Sequence, residues 1–337
     1  MSNITKYNNT YVLLEKDYKI YNPKIHDLLN IYFNQYYIIK YLNKDEVITF
    51  INNNNNNNIK IIFYFQNMPN FGNSLLEFIK NKIDLKCNIF FFTFDFWIRN
   101  PSEFTLFIKN IYKASNYKVF SFANNLEQIN FYHKKIYALY KSNIIFNNIW
   151  CSYDSSFVDF NKNPINKLFI SGSITSNYYP DRQKISNFKN IIIYSYNNSD
   201  VKNDTNNYNI ELNKYIACFS SSVYVKSFTT NKYENTHAIL QKNFEILASG
   251  SLLVVPLDEE KYLNEIGLYH KKNCYLINFK QNIQKQINYI FNNLEIINII
   301  RLNGYNYSKE KFNSYLKFIE INNIIQNNKT NYDSKDS

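Results

Sequence analysis

Apolar residues come in two rhythms along this chain. Short unbroken runs of Ile, Phe, Val and Leu alternate with longer stretches that repeat every three to four residues. Ile59–Phe65, Ile89–Phe94, Lys118–Phe122 and Asn143–Ile149 are runs of the first kind. Between them, Asn73–Ile83 carries Leu75, Leu76, Ile79 and Ile83 on one helical face. Ser102 caps a helix with Phe104, Leu106, Phe107, Ile108 and Ile111, and Leu126–Tyr140 reads as a third helix. Continuous apolar strands separated by helices predict parallel sheets covered on both faces.

The rhythm restarts after Asn161-Lys162-Asn163-Pro164, which is linker-like. Lys167–Ser171, Asn190–Tyr196, Lys214–Ser220, Ser251–Pro256 and Asn273–Ile277 read as strands. Helices are predicted over Asp181–Phe188, Ala238–Ser249, Asp258–Ile266 with Asp258 as N-cap, Asn282–Asn293, Glu295–Leu302 and Ser308–Ile325. The expected fold class is therefore α/β, with two Rossmann-like domains. The first covers 1–160 and includes an Asn-rich loop at 51–58. The second covers 165–325, and a polar, disordered tail follows at 326–337. At 337 residues the length also suits two domains.

Composition adds a few exclusions. The net charge is +11, but 35 of the 38 basic residues are Lys, scattered along the whole chain. A nucleic-acid reader concentrates base in one stripe and favours Arg, so a diffuse solvated surface is the better reading and no nucleic-acid partner is expected. The abundance of Asn, Ile, Lys, Tyr and Phe fits an A/T-rich coding sequence. The Met1–Lys6 start has no basic-then-apolar leader pattern, and the longest apolar stretch, Ile89–Ile98, is too short to span a bilayer. Cys87, Cys151, Cys218 and Cys274 are widely spaced, which argues against a zinc site or a disulfide scaffold and for a reducing, cytoplasmic setting. There is no Asp-x-Asp, no G-x-G-x-x-G, no phosphate loop ending in Gly-Lys-Ser/Thr and no H-E-x-x-H, so no metal and no dinucleotide cofactor is expected.

With 5 glycines in the chain, each one needs a backbone reason. Gly250, Gly267 and Gly304 follow predicted helices and read as C-terminal caps. Gly172 ends the first strand of the second domain, where open α/β sheets bind ligands outside the strand's carboxyl end; a plain turn is the alternative. Arg182, near the start of the next helix, suits a phosphate or carboxylate, or else a surface ion pair.

The stretch Gln241-Lys242-Asn243-Phe244-Glu245-Ile246-Leu247-Ala248-Ser249-Gly250-Ser251-Leu252-Leu253-Val254-Val255-Pro256 resembles the signature of GT-B glycosyltransferases of group 1, and most of all their CgeB-like (spore-protein-type) branch. Arg301-Leu302-Asn303-Gly304-Tyr305 downstream, and Phe169-Ile170-Ser171-Gly172-Ser173 with Arg182 upstream, resemble the family in order and spacing. The resemblance runs from about Lys167 to Glu320. It implies two domains facing across a cleft, a nucleotide-activated sugar as co-substrate and retention of configuration. It also implies an acceptor, whether glycan, protein or lipid, bound by the first domain, and a last helix that returns to pack on that domain.

The resemblance further implies that Glu245 accepts the ribose hydroxyls. Lys242, which stands where the branch has Arg, would meet the phosphates with Gly172, Ser173, Arg182 and Asn243. Periodicity alone makes Glu245 a solvated helix acid, because it lies off the Leu240/Phe244/Leu247 stripe. Related retaining enzymes carry another glutamate eight positions earlier, which here is His237, a candidate catalytic residue or a structural histidine; Glu234 is a possible substitute. In the first domain, Asp95 follows the strand Ile89–Phe94 as a candidate for acceptor binding or base catalysis, or as a helix cap, with Trp97 nearby. The competing reading is a GT-B-shaped binding or structural protein without turnover.

Overall fold

A computed structural model describes residues 6–16, 28–65, 86–93, 118–121, 145–148, 157–172, 174, 177–194, 205–226, 232–235, 237 and 239–327. The predicted helices at 73–83, 102–111 and 126–140 lie outside these residues. The chain divides into two compact units, Met1–Ile149 with Lys317–Ser337, and Trp150–Leu316.

The first unit holds a parallel sheet ordered β2-β1-β3-β4-β5-β6. Its strands are β1 (Thr10–Glu15), β2 (Ile38–Leu42), β3 (Lys60–Phe65), β4 (Asn88–Thr93), β5 (Lys118–Ser121) and β6 (Ile145–Asn148). Val12, Leu13 and Leu14 of β1 and Ile61, Ile62, Phe63 and Tyr64 of β3 are all buried, as the unbroken apolar runs require. Helix α1 (Lys44–Asn53) opens on a capping box between Asn43 and Glu46. It extends into the Asn-rich run, so the predicted loop at 51–58 is helical through Asn53. Asn55 Oδ1 accepts from the Lys86 and Cys87 amides, which gives part of that run a structural task.

The second unit has the sheet order β13-β12-β9-β7-β8, again all parallel. Its strands are β7 (Ile165–Ser171), β8 (Ile191–Tyr194), β9 (Tyr215–Phe219), β12 (Leu252–Pro256) and β13 (Tyr275–Ile277). A small antiparallel pair, β10 (Tyr224–Lys226) and β11 (Tyr233–Asn235), lies in the segment expected to be a long loop. The helices are α2 (Pro180–Ser186), α3 (Thr205–Lys214), α4 (Gln241–Ala248), α5 (Glu260–Glu265), α6 (Ile283–Asn292), α7 (Leu294–Lys311) and α8 (Ser314–Asn327). β12 shows why the sheet is two-faced. Leu253 and Val255 pack with Phe244 and Leu247 of α4, while Leu252 and Val254 pack with Ile287 and Ile290 of α6.

Several expectations are corrected. Asp258 is not a helix N-cap: Leu257–Glu259 form a 3-10 turn before α5, and Glu259 occupies the cap position with no side-chain cap bond. The helix predicted over Glu295–Leu302 runs on to Lys311 and the last helix starts only at Ser314, so Gly304 sits inside α7 rather than ending a helix. A Cβ on Gly304 would lie 2.6 Å from the Asn273 carbonyl oxygen and 2.9 Å from Leu247 Cδ2, so close packing is its reason. Gly250 and Gly267 do cap helices, at φ of +76° and +80°. Gln326 and Asn327, placed in the tail, finish α8; the rest of the tail lies outside the described residues.

Arg301 is 1% exposed and structural. Its guanidinium donates to the Gly250 and Asn161 carbonyls and to Asn298 Oδ1, and lies over the Phe160 ring. It ties α7 to the incoming segment before β7. Cys87, Cys218 and Cys274 are buried free thiols. Among the described residues, no helix is long and apolar enough to cross a membrane.

Candidate functional site

The order β13-β12-β9-β7-β8 reverses direction between β7 and β9. Successive strands after β7 go first to one side and then to the other. At such a switch point the crossover helices diverge and leave a crevice outside the carboxyl ends of the two central strands. Ser171 and Gly172 stand at the end of β7; Ser220, Ser221 and Ser222 follow β9. This edge is where a ligand has room.

Two cations meet there. Gly172 has φ of +92°, and a Cβ on it would lie 3.1 Å from Arg182 Nη1 and 3.3 Å from Lys242 Nζ. Lys242 Nζ also donates to the Ser171 carbonyl at 2.7 Å. Gly172, Arg182 and Lys242 come from β7, α2 and α4, and the structure brings these three candidates together. Arg182 is 3% exposed, and burial lowers its proton affinity against the opposing pull of Tyr179, Tyr208 and Glu259. Its guanidinium stacks on the Tyr179 ring at 3.9 Å. Neighbouring Asp181 is taken by Lys184 at 2.8 Å and by the Tyr224 hydroxyl at 3.2 Å.

In the same unit, buried polar atoms lack hydrogen-bond partners among the described residues: Arg182 Nε, Ser220 Oγ and Ser221 Oγ just after β9, His237 Nδ1, and both Asn243 Nδ2 and Oδ1. An orphaned buried polar group costs about 1–3 kcal/mol, so several in one region need an explanation. A polar ligand that pairs with them supplies one. Asn243 stands in the first turn of α4, one residue after Lys242.

Glu245 is 6% exposed, which corrects its periodicity-based reading as a solvated acid. His237 has φ of +49°, a left-handed backbone unusual for a residue with a side chain. Its N–H donates to Asn235 Oδ1 at 2.8 Å, and its ring stacks on Tyr262 with centroids 5.1 Å apart. Glu234 lies on β11 opposite Val225. Asp95, Ser173 and Trp97 lie outside the described residues.

Sequence reasoning missed a second polar group beside the cations. Glu259, 2% exposed at the end of the β12 strand, accepts from the Ser222 amide at 2.7 Å and contacts the Ser222 hydroxyl at 2.8 Å. Burial pushes its carboxyl up to about 8, with Asp258 and Asp181 adding to the shift and the two Ser222 bonds opposing it. The signal that could have revealed it is the Ser220-Ser221-Ser222 run, three hydroxyls directly after a fully buried strand.

By sequence the chain matches no protein-family model and no curated protein. Solved structures do match. Anabaena Alr3699/HepE, solved in complex with UDP-glucose, aligns with a TM-score of 0.59 at 8% identity, over 94% of this chain and 99% of that one. TarM, from S. aureus, aligns with a TM-score of 0.50 at 12% identity, over 85% of this chain and 59% of TarM. The fold is GT-B. The pneumococcal O-GlcNAc transferase GtfA, solved with UDP and GlcNAc, gives a TM-score of 0.49 at 10% identity, over 85% of this chain and 60% of that one. The chain thus spans about three fifths of the length of TarM and GtfA and nearly all of HepE. In GT-B terms, the crevice described above belongs to the second of the two sheets.

Proposed function

We propose that this chain is a glycosyltransferase of the group 1, CgeB-like type. It moves a sugar from a nucleotide-activated donor to an acceptor, without a metal and with retention. One observation carries the reading: two cations converge on Gly172 at the switch point, and the Nε of one of them, buried Arg182, has no partner among the described residues. A nucleoside diphosphate sugar matches that set. Its diphosphate takes Arg182, Lys242 and the backbone at Gly172, and its ribose diol suits the Glu245 carboxylate. Asn243 and Ser173 serve the same donor.

In the transfer, the acceptor oxygen bonds the sugar's anomeric carbon and its proton passes to the departing β-phosphate oxygen. The bond from that carbon to the β-phosphate oxygen breaks, and the nucleoside diphosphate leaves with the electron pair. Arg182 and Lys242 stabilise the charge that develops on the leaving group, the part a metal plays in other transferases. In this reading His237 serves the donor's sugar, and Asp95 in the first unit serves the acceptor hydroxyl. HepE, solved with UDP-glucose, supports a nucleotide-sugar donor.

A second reading, a GT-B-shaped binding protein without turnover, is favoured by His237, which stands where related retaining enzymes have a glutamate. Thermal stabilisation by UDP-, GDP-, dTDP- and CDP-sugars, with Glu245→Ala alongside, tests the donor site. Stabilisation of the wild type alone by one nucleotide class is the expected outcome; no stabilisation by any class sinks the donor reading. Nucleotide release on adding acceptor candidates separates transfer from binding.

A further inference from the structure

The Ser222 hydroxyl makes two oxygen contacts that its single proton cannot serve. Its Oγ is within hydrogen-bond reach of Asn235 Oδ1, and lies 2.8 Å from Glu259 Oε1. The Asn235 amide cannot be turned round to help. Its Oδ1 faces the His237 N–H at 2.8 Å, a group that can only donate; its Nδ2 faces Asp258 Oδ2 at 3.2 Å, and a carboxylate only accepts. Oδ1 is therefore an acceptor, and Ser222 spends its proton on it. The remaining contact, Ser222 Oγ to Glu259 Oε1, has no proton unless Glu259 supplies one. The opposite assignment, Ser222 donating to Glu259, leaves two bare oxygens pressed together at the shorter of the two contacts.

We propose that Glu259 is a neutral carboxylic acid that donates its proton to the Ser222 hydroxyl, completing a chain Glu259–Ser222–Asn235 that positions the His237 backbone. The electrostatics agree. Burial is the largest influence on Glu259; Asp258 on its own turn and Asp181 on α2 both oppose a further negative charge, and the Ser222 amide, which donates to the same Oε1 at 2.7 Å, favours one without outweighing them. Arg182 on α2 attracts a charge on Glu259, while Lys184 and Tyr224 are engaged with Asp181. The chain explains why His237 holds a left-handed backbone against its steric cost. The carbonyl that accepts its N–H is locked only while Ser222 donates to that same carbonyl.

Ionising Glu259 turns the Ser222 proton toward the carboxylate, strips Asn235 Oδ1 of one donor and places a negative charge beside Arg182. Glu259 is thus a positioning residue, and its protonated form is the one that admits a nucleoside diphosphate. This last step rests on the donor-site reading; the proton itself does not.

Two measurements decide it. The infrared spectrum of the wild-type protein carrying 13C-labelled glutamate should show a protonated-carboxyl band at pH 7 that shifts with the label. That band should fade through about pH 8 and be absent from Glu259→Gln, and its absence from the wild type at pH 7 overturns the proposal. In parallel, UDP affinity of the wild type should fall about tenfold from pH 7 to pH 9, since one site titrating near 8 is then mostly ionised. Glu259→Gln, which keeps a donor and an acceptor without a charge, should bind UDP equally at both pH values. Parallel pH profiles in the two proteins overturn the positioning role. If neither protein binds UDP at any pH, the donor-site reading fails while the infrared band still decides the proton. The infrared arm needs only the wild type, so a Gln variant that fails to fold leaves it decisive.

Discussion

At the scale of single residues, the second unit keeps polar atoms in a state that costs stability. Asn243 is the clearest case: it is 1% exposed, with neither amide atom paired among the described residues. Asn243→Leu replaces it with an apolar side chain of similar size. The variant is expected to gain about 1–3 kcal/mol in urea unfolding, because an unsatisfied buried amide is removed. It should also lose UDP binding in calorimetry. A gain in stability with binding intact would show that Asn243 does not touch the donor.

Glu259 supplies a pH dependence of stability whose direction is set by its shift. Its folded-state pKa, about 8, stands above the ordinary 4.5, so folding takes up a proton. The stabilisation is complete below about 4.5 and is lost as pH rises through about 8. Glu259→Gln should flatten that fall, read as the difference in urea midpoints between the two proteins at pH 5.5 and pH 8.5. Gly172 and Arg182 stood out in the sequence, because Gly and Arg are rare in this chain and each needed a reason; Lys242, one of many lysines, stood out only through the resemblance. Glu259 did not, because it falls in the first turn of the helix predicted from Asp258, where an acid is ordinary. Only the tertiary fold carries that carboxyl under the β9 loop.

At the scale of elements, strands with unbroken apolar runs were read well, since burial on both faces leaves no polar position to confuse the pattern. β9 and β12 are of this kind, and every residue in each is buried. α3, Thr205–Lys214, went unread because its sequence, TNNYNIELNK, offers few apolar positions to mark a face. Its place is set instead by tertiary contacts such as buried Leu212 and the Ser171–Tyr208 hydroxyl pair. Gly304 was misread as a cap because glycine usually ends helices. Inside α7 it trades helix propensity for close approach to the Asn273 carbonyl. Gly304→Ala weighs the two effects directly. Propensity favours Ala by about 1 kcal/mol, and overpacking against fixed backbone costs about 1–3 kcal/mol. Net destabilisation is expected, measured by the urea midpoint; an unchanged or raised midpoint would mean that the Asn273 turn yields.

At the scale of the whole molecule, the last helix does not belong to one unit. α8 begins at Ser314, yet from Lys317 onward the chain belongs with the first unit. Within that unit Phe318 is fully buried and stacks on Tyr32 at 5.5 Å, with Phe33, Tyr36 and Tyr37 around it. Asn322 accepts from the buried Tyr37 hydroxyl at 2.8 Å, and Gln326 accepts from Lys60 Nζ. The first sheet thus depends on a segment that arrives after the whole second sheet has been made. Ending the chain at Leu316 removes this segment and leaves an aromatic pocket open, with a Tyr37 hydroxyl that has lost its buried acceptor. Losing one buried Phe alone costs about 3–5 kcal/mol, a large share of a domain's stability. The truncated chain should therefore show an early unfolding step, read by tyrosine fluorescence of the first unit. Arg182, Lys242 and Glu245 all lie in the second unit, so on the donor reading UDP should still stabilise the later step. By mass action that stabilisation is about 2.7 kcal/mol at a hundred times the dissociation constant. If both steps move together, the two units unfold as one; if UDP no longer acts, the donor site requires the first unit as well.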